Sequence, residues 1–162
     1  MDISWLDILL RLGFATLAGM AVGLNRDLQN KPTGMRTLGL VSLGAALVTL
    51  ATIDFGRIGH NPDALSRVVQ GVIQGVLTGV GFIGAGVILR DRKGITVHGL
   101  TTAASVWVTA SLGIASALAA WPVVMIGALL TLLLLMLGGI FERFIARVSG
   151  SHDPETGRSG QG

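Results

Sequence analysis

The sequence predicts an all-α membrane protein, a polytopic helical bundle with five transmembrane helices. Hydrophobic residues make up 51% of the 162 residues and charged residues only 13%, whereas soluble domains are about a quarter charged. The segment from Val68 to Leu89 has 22 residues without a charge, which is long enough to cross a bilayer. A second uncharged run, from Leu100 to Phe141, has 42 residues. As one helix it would measure about 63 Å, twice the thickness of a bilayer core, so it must fold back.

The apolar segments give the bounds of the five spans. Spans one, two and three cover about residues 3–24, 35–53 and 68–89. The long uncharged run divides between Ser116 and Pro122, because proline suits the first turn of a helix and Trp121 suits the headgroup level. Spans four and five are then about residues 100–117 and 121–141. Residues 1–149 form one transmembrane domain, and the polar, Gly-rich tail at 150–162 is predicted to be disordered.

The distribution of basic residues predicts an outside N-terminus and a cytoplasmic C-terminus. Eight lysines and arginines lie near span ends on one side of the five-span topology and two on the other, and basic residues concentrate in cytoplasmic loops. The eight are Arg26, Lys31, Arg36, Arg90, Arg92, Lys93, Arg143 and Arg147, and the two are Arg57 and Arg67. The net charge of +3 therefore indicates orientation and contact with membrane lipids. No nucleic-acid partner is expected, because no long basic run is present.

Glycines form a stripe along span three. Gly71, Gly75 and Gly79 lie four residues apart, so they share one helical face that another helix can approach closely. We expect this face to pack against the small residues of span one, either within one chain or between the chains of a homodimer. Those small residues are Ala15, Gly19 and Gly23.

The end of span three carries three further glycines, Gly81, Gly84 and Gly86. Their density indicates either a local break in the helix, which must face protein or water, or close helix packing. The letters GVGFIG match the dinucleotide-binding pattern GxGxxG, but that pattern requires a preceding strand and an acidic residue about twenty positions further on. Neither is present here, so nucleotide binding is excluded.

Two polar pairs lie inside predicted spans. Asp7 and Arg11 have the four-residue spacing of a helical ion pair. They are a candidate intramembrane charge pair, or they lie at the outer headgroup level with a structural role only. Gln70 and Gln74 repeat the spacing on span three, where they bind a neighbouring helix or line a polar cavity.

The sequence offers no catalytic constellation. Cysteine is absent, which excludes a thiol nucleophile and a thiolate metal site. Span four holds several hydroxyls, including Thr101 and Thr102, but no base is placed to activate them. The three histidines are too scattered for a metal site. We therefore expect no enzyme activity, no cofactor and no bound metal.

Charged motifs flank one face of the predicted membrane domain. Arg26, Asp27 and Arg36 precede span two, and Arg90 to Lys93 follow span three. The simplest joint interpretation is a polar site at the inner mouth of the bundle, and the alternative is that these residues only hold orientation. Arg36 is the first candidate for function, with Asp27 as its partner, because arginine offers a fixed fork of donors. Its alternative role is to anchor span two at the interface.

Three patches of the sequence together resemble the MgtC/SapB family of bacterial inner-membrane proteins, over about residues 5–145. They are GLNRDLQNKPTGMRTLGLVSLGAAL from Gly23, GVGFIGAGVILRDRKGITVHGLTTAASVWV from Gly79, and the TASLGIASA that follows. The resemblance implies a five-helix inner-membrane domain linked to survival under magnesium limitation. For the MgtC branch it also implies action on the F-type ATP synthase rather than proven magnesium transport.

The family motifs map onto three groups of residues. They are Arg26, Asp27, Pro32, Gly34, Arg36 and Thr37; Gly79, Phe82, Gly84, Ala85 and Gly86; and Gly99, Leu100, Thr101, Thr102 and Trp107. Asn25 departs from the glutamate of many relatives. We also expect a short member without the C-terminal cytoplasmic domain of MgtC. A non-enzymatic protein that modulates ion homeostasis or another membrane complex is the first hypothesis, and a small, oligomeric ion or solute transporter or channel is the second.

Overall fold

The computed structural model describes residues 4–56, 62–89 and 99–149. These residues form five α-helices and no strand, which confirms the all-α class and the number of spans. The helices are α1 Trp5–Leu28, α2 Met35–Gly56, α3 Pro62–Leu89, α4 Leu100–Ala117 and α5 Trp121–Ser149. Each contains a stretch long and apolar enough to span a membrane. The predicted disordered tail at 150–162 lies outside the described residues, and so does the charged segment from Arg90 to Lys93.

The helices begin and end close to the predicted span limits, with three extensions of four residues or more. α1 continues to Leu28, four residues beyond the predicted end. α3 begins six residues early, at Pro62, where proline fits the first helical position and Asp63 favours the positive end of the helix dipole. α5 continues to Ser149, beyond the apolar segment. The long uncharged run folds back as predicted. α4 ends at Ala117, Ala119 turns the chain with a φ of 55°, and α5 begins at Trp121.

α4 lies at the centre of the bundle and packs against all four other helices. Its small and hydroxyl residues allow this, because they let neighbouring backbones approach closely. A Cβ at Gly113 would collide with the backbone of Ser42 on α2. A Cβ at Gly19 of α1 would lie 2.8 Å from the Cβ of the same Ser42. Glycines on α1 and α4 therefore hold α2 in close contact with both.

Within one chain, the predicted packing of α3 against α1 is wrong, because these two helices make no contact in the described residues. Packing between two chains stays a prediction. The small face of α1 packs on α2 instead, where a Cβ at Gly23 would collide with Met35. A Cβ added to any of five α3 glycines would meet nothing within 4 Å: Gly71, Gly75, Gly79, Gly81 and Gly86. Gly84 alone among the stripe and cluster approaches another helix, with its added Cβ 3.2 Å from the Cβ of Ala103.

α3 is a single uninterrupted helix through the glycine cluster, so the alternative of a local break does not occur. α3 packs on α4 and α2, and α5 on α4 and α1, but only 6% of the apolar window of each is buried within the chain. The two glutamines of α3, Gln70 and Gln74, are exposed. They line an open groove of about 490 Å³ together with Ile73, Leu77 and Thr78 of the same helix. Most of both helix surfaces is therefore left for lipid or another protein.

Candidate functional site

Arg26 is a buried arginine at the end of the bundle where α1 stops and α2 and α4 begin, with 3% of its surface exposed. Its guanidinium donates two hydrogen bonds to the carbonyl oxygen of Pro32, from Nε at 3.1 Å and from Nη2 at 2.9 Å. It also donates to two hydroxyls of α4, Thr102 Oγ1 at 2.6 Å and Ser105 Oγ at 3.1 Å. One side chain thus joins the end of α1, the following loop and α4.

The loop from α1 to α2 is shaped around this arginine. The N–H of Lys31 donates to the carbonyl of Arg26, and Asn30 and Thr33 adopt left-handed φ values of 53° and 62°. These turns direct the Pro32 carbonyl back toward the guanidinium. The hydroxyl of Ser105 in turn donates to the carbonyl of Thr101 at 2.7 Å, so its hydrogen stays engaged while its oxygen accepts from Arg26.

Asp27, the neighbour of Arg26, caps the first turn of α2. Its Oδ2 accepts a hydrogen bond of 2.8 Å from the backbone N–H of Met35, one of the donors that a helix start leaves unpaired. The carboxylate fills the space beside Gly34, where a Cβ would collide with it. A negative charge at a helix N-terminus is also favoured by the helix dipole. Asp27 and Gly34 therefore form a structural unit.

The electrostatics of the Arg26 cluster are unusual, because a buried positive charge is held by neutral acceptors. No carboxylate pairs with Arg26 among the described residues. Hydrogen bonds to a charged group are stronger than those between neutral groups. They offset only part of the cost of removing the charge from water. The site can thus hold three segments in register, and its net charge is positive.

The other candidate site residues lie outside this cluster. Arg36 and Thr37 are exposed on the first turn of α2, and Thr101 is exposed on α4. The predicted pair of Arg36 with Asp27 is not formed, because Asp27 caps α2 and no ion pair joins the two side chains in the described structure. The polar residues of the predicted inner-mouth site therefore divide into a buried group around Arg26 and an exposed arginine, Arg36.

The candidate intramembrane charge pair, Asp7 and Arg11, lies at the opposite end of the bundle from Arg26. Arg11 Nη2 and Asp7 Oδ2 are 2.7 Å apart, as their helical spacing indicated. Arg11 Nη1 also donates to the carbonyl of Ala117 at 2.7 Å, one of the carbonyls that the end of α4 leaves unpaired. An arginine of α1 thus binds α4 at each of its two ends.

Between these arginines the interior is lined by hydroxyls. Ser116 and Thr49 donate to backbone carbonyls one turn earlier in their own helices. Ser42 and Thr109 are completely buried, and their hydroxyl oxygens have no hydrogen-bond partner in the structure. The interior is therefore polar in places, but it is closely packed.

Sequence reasoning missed two components of the Arg26 cluster, Ser105 and the carbonyl of Pro32. Ser105 follows Thr102 by three residues and so shares its helical face, a signal that would have added it to the site. The carbonyl of Pro32 carries no side-chain signal. It depends on the left-handed turns at Asn30 and Thr33, which the sequence does not specify.

The fold and the site define a multi-pass membrane protein, a five-helix bundle in which the buried Arg26 and the half-buried Arg11 bind α1 to the two ends of α4. A family model described as "MgtC family" matches residues 12–144, and the chain belongs to this family. No solved structure matches the chain.

Three curated relatives show the extent of the similarity. The chain is 42% identical over 138 residues to "Protein SrpB" of Synechococcus elongatus, covering 82% of this chain and 75% of that protein. It is 41% identical over 126 residues to "Protein SapB" of Bacillus subtilis, covering 72% and 51%. It is 35% identical over 136 residues to "Putative magnesium transporter YhiD" of Escherichia coli K12, covering 80% and 59%. The chain thus spans between half and three quarters of their lengths.

Proposed function

We propose that this chain is a non-enzymatic inner-membrane protein that supports adaptation to low magnesium by modulating ion homeostasis or another membrane complex. Family membership and the name of the relative YhiD support the link to magnesium. The observation that carries the modulating role is the charge buried in the bundle. It is the guanidinium of Arg26, bound to protein acceptors on α4 and in the loop after α1.

A buried guanidinium opposes the passage of a divalent cation. Magnesium binds oxygen ligands, chiefly carboxylates, and gives up its water reluctantly. The described residues contain no group of three histidine or acidic side chains, and the arginine adds a repulsive charge that a low-dielectric interior screens poorly. Exposed α3 and α5 offer the area through which a modulator would contact another complex, and the F-type ATP synthase is one candidate by resemblance.

The alternative function is a small ion or solute transporter. It rests on the name of YhiD and on the buried hydroxyls of the interior. These are Ser42, Thr49, Thr102, Ser105, Thr109 and Ser116. A pathway along these hydroxyls would favour the passage of water, a proton or an anion over that of magnesium, because an arginine lies at each end of it.

Growth and flux measurements on the same protein separate the two functions. The gene is deleted in its host, and growth at low magnesium is compared with a strain that expresses the intact chain. The purified chain is then reconstituted into separate sets of liposomes that contain a magnesium-sensitive, a pH-sensitive or a chloride-sensitive dye. We expect the chain to restore growth and the liposomes to show no protein-dependent entry of magnesium, protons or chloride. Flux of any of these ions that scales with the amount of protein would overturn the proposal in favour of the transporter, and unimpaired growth of the deletion strain would overturn it as well.

A further inference from the structure

A groove of about 470 Å³ opens between α1 and α2, and no residue of α4 lines it. It is lined by Thr16, Met20, Met35, Arg36, Gly39, Leu40 and Leu43. Most of this lining is apolar, and Arg36 is the one charged residue in it. The groove is distinct from the Arg26 cluster, to which none of these residues contributes a side chain.

The groove follows from how the two helices pack. Gly19 and Gly23 bring the backbones of α1 and α2 together on the inner side of the contact. On the outer side Gly39 contributes no side chain, and the flexible side chain of Met20 lies against it, with Cγ 2.9 Å from where a Cβ would be. Leu40 stands at the outer edge with 69% of its surface exposed. The result is a crevice that faces the lipid.

Arg36 places a free positive charge at one end of this crevice. Its side chain is exposed, and no hydrogen bond or ion pair engages it in the described structure. The nearest acid in sequence, Asp27, is held by the N–H of Met35. A guanidinium presents its donors in a fork that matches the oxygens of a phosphate.

We propose that this groove binds one anionic phospholipid, with its phosphate on Arg36 and an acyl chain along the apolar lining. Arg36 and Leu43 are seven residues apart, so the lining reaches about 10 Å into the membrane, roughly two thirds of one leaflet's hydrocarbon. An apolar trough with one cation at its end matches an amphiphilic anion in both shape and charge. A free phosphate would use only the arginine. This inference does not depend on the proposed function.

Native mass spectrometry of the purified chain with added lipid tests the proposal. We expect phosphatidylglycerol to bind with a stoichiometry of one and more tightly than phosphatidylcholine. Arg36→Gln should weaken phosphatidylglycerol binding about tenfold, the loss expected for one charge-assisted contact. Lys31→Gln is the matched control, because Lys31 is an exposed base in the loop just before α2 and does not line the groove. It should bind like the unaltered protein.

Two further measurements distinguish the occupants. Leu43→Trp fills the apolar end of the groove, so it should weaken phosphatidylglycerol binding. If its melting temperature falls, Leu40→Trp at the outer edge takes its place. Inorganic phosphate should not displace phosphatidylglycerol from the unaltered protein, because phosphate contacts only the arginine. Equal loss in the Arg36→Gln and Lys31→Gln variants would overturn the proposal, as would equal binding of both lipids or displacement by phosphate. A protein dimer that covers the groove and excludes lipid would also overturn it.

Discussion

Arg26 is a single residue whose contacts define the register of three segments. Removing one partner from a buried, hydrogen-bonded charge costs more than the interaction itself contributes, because the remaining groups stay buried without partners. Lysine keeps the charge but cannot bind the Pro32 carbonyl and two hydroxyls of α4 with the geometry of the fork. The position of Arg26 should therefore tolerate substitution less well than that of the exposed Arg36.

The first prediction is that Arg26→Lys lowers the free energy of unfolding by about 2–4 kcal/mol. The measurement is thermal unfolding in detergent. Lys31→Gln, at an exposed position in the loop after α1, serves as the control and should unfold at the same temperature as the unaltered protein. An Arg26→Lys variant as stable as the control would mean that the charge alone suffices and that the fork is not used.

The second prediction concerns Asp27 and Gly34. Gly34→Ala alone should destabilise the protein by about 1–3 kcal/mol, because the new Cβ collides with the Asp27 carboxylate and displaces it from the Met35 N–H. In the Asp27→Ala background the same change should cost much less, since the collision is gone. The double-mutant cycle is measured by thermal unfolding, and additive effects would show that Gly34 is required for another reason.

At the scale of the helices, length and apolar content were enough to predict their number and nearly their bounds. The turn between α4 and α5 was predictable because an uncharged run of that length is too long to cross a bilayer as one continuous helix. The choice of packing partners was not. Spacing shows that α1 and α3 each have a face of small residues. Whether such a face packs against another helix depends on its shape complementarity with α2 and α4, which spacing alone does not give. Gly19 and Gly23 of α1 are buried against α2, whereas every described α3 glycine except Gly84 has open space where a side chain would be.

The third prediction compares matched glycines on the two helices. Gly19→Ala places a Cβ 2.5 Å from the carbonyl oxygen of Leu38, so it should lower the melting temperature in detergent. Gly75→Ala meets nothing within 4 Å. It should leave the monomer unchanged or more stable by up to about 1 kcal/mol, since alanine is the better helix former. A destabilised Gly75→Ala monomer would contradict this arrangement of α3.

A second substitution at Gly75 tests assembly. Gly75→Leu presents a larger side chain to whatever covers the exposed face of α3. If light scattering shows an oligomer of the unaltered protein that Gly75→Leu dissociates while the monomer keeps its stability, a second copy occupies this face. An unchanged oligomer would place the face against lipid.

In the whole molecule, α1, α2 and α4 form the closely packed part, and α3 and α5 lie against its outside. The structure fixes which helix ends share a side. Arg26, the start of α2 and the start of α4 lie at one end, and Asp7, Arg11 and the end of α4 at the other. Which end faces the cytoplasm depends on the basic residues near the span ends, and these predict that it is the Arg26 end.

The fourth prediction is this orientation. The chain has no cysteine, so single cysteines can be introduced at Asn30, Asn61 and Gly150 without a background signal. With a membrane-impermeant maleimide, intact cells should label Asn61→Cys, and only lysed cells should label Asn30→Cys and Gly150→Cys. The physical reason is that moving eight rather than two basic residues across the membrane would cost more free energy. Labelling of Asn30→Cys in intact cells would show that the bundle has the opposite orientation in the membrane. It would also put Arg36 and its lipid groove in the outer leaflet.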